Sequence, residues 1–93
     1  MNSVEVRREG TAELINVQID GAPLAFSADG VATRDVVAGH EYVIQWFIRG
    51  TPGTTYKVQV TQPAEARFVA SATLNDSQKD AGVFWFTIKG EHA

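Results

Sequence analysis

The side chains able to do chemistry are few and poorly grouped. The chain has two histidines, His40 and His92. A metal centre needs several ligands converging on one point. His40 stands in the turn Ala38-Gly39-His40 with only Glu41 beside it and reads as a solvated turn residue, and His92, next to the C-terminus, is expected to be mobile. Ser27, Ser71 and Ser77 carry hydroxyls, but neither G-x-S-x-G nor S-x-x-K occurs, and those signatures set a serine beside its activating partner. Asp20, Asp29, Asp76 and Asp80 sit at turn signals, where short carboxylates cap the backbone. Asn75, Asp76 and Asp80 crowd one loop and offer oxygen ligands for calcium. Their spacing departs from the D-x-[DN]-x-[DN]-G loop, so an ordinary loop is the reading. Gly50-Thr51-Pro52-Gly53-Thr54 is glycine-rich but precedes no helix, which removes the logic of a phosphate cradle. With no cysteine, disulfides, zinc–thiolate sites and thiol catalysis are excluded. The expectation is a protein with no metal, no cofactor and no catalytic residues, and a small hydrolytic enzyme is the remotest of three function classes.

Composition narrows the rest. Ninety-three residues make a single domain, 1–93. Scaling of surface with mass gives roughly 64% of the unfolded chain's surface buried on folding. An apolar fraction of 44% with 20% charged residues is that of a globular protein. The net charge is −3 and the pI about 5.2. The densest positive cluster, Arg7-Arg8, is flanked by Glu5 and Glu9, so nucleic acid is not an expected partner. No apolar run is long enough to cross a membrane as a helix, and Met1-Asn2-Ser3-Val4-Glu5 lacks the basic start and apolar core of a signal peptide. Membrane insertion is therefore not expected. The lack of disulfides fits the cytosol and equally fits many bacterial secreted modules. A native Met1 implies a cytoplasmic protein. A start trimmed from a larger protein implies an extracellular or periplasmic one.

The elements that would position a site are strands. Turn signals recur at short intervals, from Glu9-Gly10 through Asp20-Gly21, Asp29-Gly30, Gly39-His40, Pro52-Gly53, Gln62-Pro63 and Asn75-Asp76 to Asp80-Ala81-Gly82. That spacing is typical of a sandwich or small barrel. The segments between them predict strands at 3–8, 12–20, 23–28, 31–37, 41–49, 54–62, 65–74 and 83–89. Period-two alternation assigns faces. Inward are Ile15, Val17 and Ile19; Tyr42, Ile44, Trp46 and Ile48; Tyr56, Val58 and Val60; Phe68, Ala70, Ala72 and Leu74; and Phe84, Phe86 and Ile88. Helix is expected to be nearly absent. The strongest helical rival, the alanine-rich 64–72, also alternates and is read as strand. Pro52-Gly53 suits the centre of a type II turn and is expected to close a hairpin between 41–49 and 54–62. A symmetric closure would set Ile48 opposite Lys57, mixing inward and outward residues. A bulge or odd-length loop near 49–55 is therefore predicted, with Ile48 facing Tyr56 and Trp46 facing Val58.

Two places in this pattern resemble immunoglobulin-type domains. Trp46 lies mid-strand, as the core tryptophan does there, and Asp80-Ala81-Gly82-Val83-Phe84-Trp85-Phe86 resembles the D-A-G-x-Y-x-C run of the penultimate strand. Phe84 stands at the tyrosine position and Phe86 at the second cysteine. The resemblance implies an all-β, antiparallel, two-sheet immunoglobulin-like sandwich of seven or eight short strands. It carries fold only, because sandwiches host many unrelated functions. Phe86 is followed only by residues 87–93, which is short for a last hairpin strand. The expectation that follows is an open edge, which a partner or a second copy could complete by strand addition.

The residues that suggest function are the large ones on the wrong face. Trp85 alternates with Phe84 and Phe86, and Phe47 points away from Trp46. If their strands are neighbours, Trp85, Phe47, Val43 and Val83 form an exposed apolar patch of the kind that marks an interface. Gln45 adds a polar group to it, and Lys57, opposite Phe47 in the expected hairpin, would lay its stem over the ring. The reading is a non-catalytic module for protein–protein binding or self-association. The alternative is a carbohydrate-binding module in which Trp85 stacks on sugar rings beside Gln45, Gln59 or Thr87.

Overall fold

The computed structural model describes residues 2–63 and 66–88. Expectations that touch Met1, Ala64, Glu65, Glu91, His92 and the ends of the strands read at 65 and 89 lie outside them. Among the described residues eight strands form: β1 (Asn2–Gly10), β2 (Leu14–Ile19), β3 (Ala22–Pro23), β4 (Val31–Val36), β5 (Glu41–Arg49), β6 (Thr55–Gln62), β7 (Phe68–Thr73) and β8 (Lys79–Thr87). They build two four-stranded antiparallel sheets. Sheet one runs β4-β1-β6-β7, and sheet two runs β3-β2-β5-β8. The all-β two-sheet sandwich read from the alternation is the architecture. Among the described residues no helix is long and apolar enough to cross a membrane.

The core is the set of inward faces. Val4, Val6, Tyr56, Val58 and Val60 from sheet one meet Val17, Ile19, Tyr42, Ile44, Trp46, Ile48 and Phe86 from sheet two. Each strand buries alternate residues because successive side chains leave a strand on opposite faces. An aromatic stack continues the core toward the β7/β8 side. Trp46 and Phe68 rings lie 5.4 Å apart at 30°, and Phe68 and Phe84 lie 4.5 Å apart at 17°. Offset stacks of this kind add to simple burial.

Three expectations are corrected. The first concerns the hairpin. β5 and β6 do not pair; they belong to different sheets, so there is no register between them to bulge. Pro52-Gly53 does form the turn, with Gly53 at φ 93° and the Thr54 N–H donating to Thr51 O at 3.1 Å, but the turn carries the chain across the sandwich. The crossing is pinned by Glu13, whose carboxylate accepts the Thr51 amide at 2.8 Å and the Thr51 hydroxyl at 2.7 Å. These bonds, the hydroxyl's foremost, hold the Glu13 carboxyl below its ordinary pKa. A carboxylate proton titration by NMR is therefore expected to place the Glu13 midpoint below that of a free glutamate, with the Thr51 amide shift moving in step. An ordinary midpoint would mean that this clamp is not formed in solution.

The second correction concerns 23–28, of which only Pro23, the end of β3, is strand. The segment that follows is a connector that lays Leu24 and Phe26 against the core, so its alternation is real without a ladder. Two arginines fasten this side. Arg34 donates to Ile19 O at 2.9 Å, and Arg8 donates to Ile15 O at 2.7 Å with its guanidinium 4.3 Å over the Phe26 ring. The third correction is that Asp80-Ala81-Gly82 is not a turn. β8 begins at Lys79 and runs through it. Asp80 reaches across the sandwich to accept the Tyr56 hydroxyl at 2.6 Å, and Gly82 lies opposite Trp46 with the indole packed onto its Cα. Glycine in a strand often marks such an approach.

Candidate interaction surface

The surface that the sequence reading asked for depends on one adjacency, and β5 and β8 are neighbours. They pair over nine consecutive positions, with Val43 opposite Trp85, Gln45 opposite Val83 and Phe47 opposite Ala81. On the other side of β5, Asn16 lies opposite Phe47 and Leu14 opposite Arg49. Because paired residues share a face, the outer face of sheet two gathers Leu14 and Asn16 from β2, Val43 to Arg49 at odd positions from β5, and Lys79 to Thr87 at odd positions from β8. Trp85 is 58% exposed, Phe47 46%, Val83 43% and Leu14 41%. Val43 and Gln45 are half-buried between them.

Lys57 is not on this face. It lies on β6 in sheet one, between Glu9 and Ser71, with its ammonium 3.5 Å from the Glu9 carboxylate. Its expected place over Phe47 depended on the hairpin that does not form, so the ring keeps its exposure. Gln59 is likewise on sheet one.

The face has relief and charge. A shallow cavity of about 450 Å³ opens at one end, with Leu14, Phe47 and Ala81 among its walls and Arg49 and Lys79 beside them. Arg49 and Lys79 are directly opposite each other across the β5–β8 ladder. Like charges so placed repel, and neither forms an ion pair among the described residues. The far end of the same strand pair carries Glu41, opposite Thr87 and also exposed. Asn16, next to Phe47, has a side-chain oxygen that is shielded from solvent and accepts no hydrogen bond, a costly state for a polar atom. Leu14, Asn16, Arg49, Lys79 and Ala81 were not singled out from the sequence. Their signal was present in strand parity, but parity becomes a surface only once the order of strands is known.

The groups considered for chemistry have structural occupations. His40 packs its ring 4.5 Å from that of Tyr42, with Nε2 3.6 Å from the Asp20 carboxylate. The Ser77 hydroxyl donates to the Asn75 side-chain oxygen at 2.6 Å, and that oxygen also accepts the Ser77 amide. Asp80 accepts both the Tyr56 hydroxyl and the Ala81 amide. The Ser27 hydroxyl lies near the Val31 amide within the turn leading to β4. These bonds are those of turn and strand closure.

Comparison with protein-family models, with curated proteins and with solved structures returns no match for this chain.

Proposed function

We propose that this chain is a non-catalytic interaction module that binds protein through the outer face of sheet two. The observation that carries the reading is the exposure of Trp85, Phe47, Val83 and Leu14 on one face of three adjacent strands. Single exposed apolar residues are ordinary, whereas several on one face mark a docking surface. Tryptophan anchors are also enriched at the centres of protein interfaces. The immunoglobulin-like reading of the sandwich is part of the same proposal. Its support is that the strand bearing Trp46 and the strand bearing Asp80–Phe86 lie side by side, as the corresponding strands do in such domains.

The experiment is site-directed photo-crosslinking in extracts of the source cells. A photoreactive residue in place of Trp85 is expected to give a discrete protein adduct, whose mass identifies the partner. The same residue in place of Gln59, on sheet one, serves as the control. No adduct at position 85, or equal adducts at both, would remove the proposal.

Carbohydrate binding is the second reading, and one observation favours it. Gln45 and Thr87 share the face with Trp85, so hydrogen-bonding groups flank an exposed indole. A titration with an oligosaccharide panel would then shift tryptophan emission in the wild type, and calorimetry would show binding of the same sugar lost in Trp85→Ala. A flat titration across the panel disposes of this reading.

A further inference from the structure

We infer that the chain binds a second copy of itself through the open edge of β8, in an antiparallel strand pair that extends sheet two across a two-fold axis. The inference rests on the reading of sheet two as a binding surface and adds the edge of that sheet to it: the outer face continues from one copy to the other.

The edge is open in a defined way. The Gly50 amide donates to Gln78 O and the Ile88 amide to His40 O, one pair at each end of the β5–β8 ladder. Both pairs continue the register in which Glu41 faces Thr87 and Arg49 faces Lys79. Alternation in an antiparallel ladder then turns the N–H and C=O groups of even-numbered β8 residues toward β5, and those of odd-numbered residues outward. Those outward positions are Lys79, Ala81, Val83, Trp85 and Thr87. Among them the Ala81 amide is already held by the Asp80 carboxylate at 2.8 Å. No described strand pairs with this side of β8.

Sheet edges are usually blunted by short strands, proline, charge or covering segments. The β3 edge of the same sheet is two residues long. The β4 edge of sheet one has the Leu24–Gly30 connector beside it, with the Ser27 amide bonded to Val31 O. Among the described residues β8 has none of these devices along its nine positions apart from Lys79 and Asp80 at one end. β7 is the other open edge, but it is six residues long, and its sequence FVASAT carries no charge to select a partner or an orientation.

Charge and shape both select a second copy in antiparallel orientation. One end of the β5–β8 pair carries Arg49 and Lys79, and the other carries Glu41. A two-fold axis through Val83 sets Lys79 opposite Thr87 of the second copy, with Glu41 of that copy one strand further on. That is about 10 Å between backbones at the usual strand spacing, within reach of a lysine and a glutamate side chain. Lys79 of each copy, unpaired among the described residues, thereby meets Glu41 of the other. A parallel approach would set cation against cation. In the same register Trp85 of each copy lies opposite Ala81 of the other, so the largest side chain on the strand meets the smallest on that face. All nine residues of β8 are used.

The test is sedimentation equilibrium of the purified chain over a wide concentration range, at low and high salt. The wild type is expected to approach twice the 10.1 kDa chain mass. Lys79→Glu and Glu41→Lys are each expected to weaken the dimer about tenfold, because the axis repeats every pair. The two changes combined are expected to restore it. Val83→Pro removes an outward N–H and no β5 bond, and is expected to give a folded monomer by circular dichroism. A wild type that stays monomeric at millimolar concentration would overturn the inference. So would a charge-exchanged double variant no tighter than either single one. A monomer whose position-85 crosslinker captures a different protein would likewise end the second-copy inference while leaving the face as a binding surface.

Discussion

Trp46→Ala is expected to lower the free energy of unfolding by about 3–5 kcal/mol, as for buried tryptophans elsewhere. The indole is 8% exposed, stacks on Phe68 and packs against the Gly82 backbone. A domain of this size holds about 5–14 kcal/mol in all, so the loss is a large share, and the thermal midpoint is expected to fall by well over about 10 °C. The Gly82 contact has its own signature. A methyl built on Gly82 falls against Cζ2 and Cε2 of Trp46, with Nε1 at 2.8 Å. Gly82→Ala is therefore expected to cost about 1–3 kcal/mol by overpacking. In the double variant Trp46→Ala/Gly82→Ala the cavity left by the indole accepts the methyl, so the combined loss is expected to be smaller than the sum. Denaturant unfolding of the four proteins measures this directly. Strict additivity would show that the contact does not govern the choice of glycine.

The second large effect is alkaline. Tyr56 on β6 is buried and donates to Asp80 on β8, a bond that ties the two sheets together. Burial first, then the bond to Asp80 and the charge of its carboxylate, push the phenol up to about 12. An unfolded tyrosine titrates near 10. Between those values the unfolded state gives up a proton that the folded state keeps, so stability falls as pH rises. The contribution is whole below about pH 10 and lost progressively toward about pH 12, and its full size is about 2–3 kcal/mol. Tyr56→Phe is expected to remove this alkaline limb and to cost about 1.5–3 kcal/mol at neutral pH, where the Asp80 carboxylate loses a donor. Urea unfolding of both proteins from pH 8 to 11.5 separates this phenol from the lysines and the other tyrosine. Parallel curves for the two proteins would assign the alkaline loss elsewhere.

The faces of the strands were legible because alternation is local. Tyr42 to Ile48 and Tyr56 to Val60 each declare one buried side whatever they pair with. The parity conflict between them was a true signal read the wrong way. A direct hairpin would have set inward residues opposite outward ones, which suggested a bulge. The chain resolves the conflict by crossing to the other sheet, where both sets of inward residues meet face to face. Sequential strands pair only about two times in three, and nothing local in Gly50–Thr54 distinguishes a hairpin from a crossing. The clamp that decides it, Glu13 on Thr51, joins residues 38 positions apart. Leu24 and Phe26 misled for a related reason. They alternate because they pack on the core, and packing alone does not make a ladder.

The candidate surface divides in the same way. The outward direction of Phe47, Trp85, Val43 and Val83 was settled by the sequence itself, since a strand's period of two follows from the backbone. Their union into one face, the addition of Leu14 and Asn16 and the removal of Lys57 were decided only by the tertiary structure. Those outcomes turn on which strand lies beside which, and strand order is set by the burial of all inward faces at once.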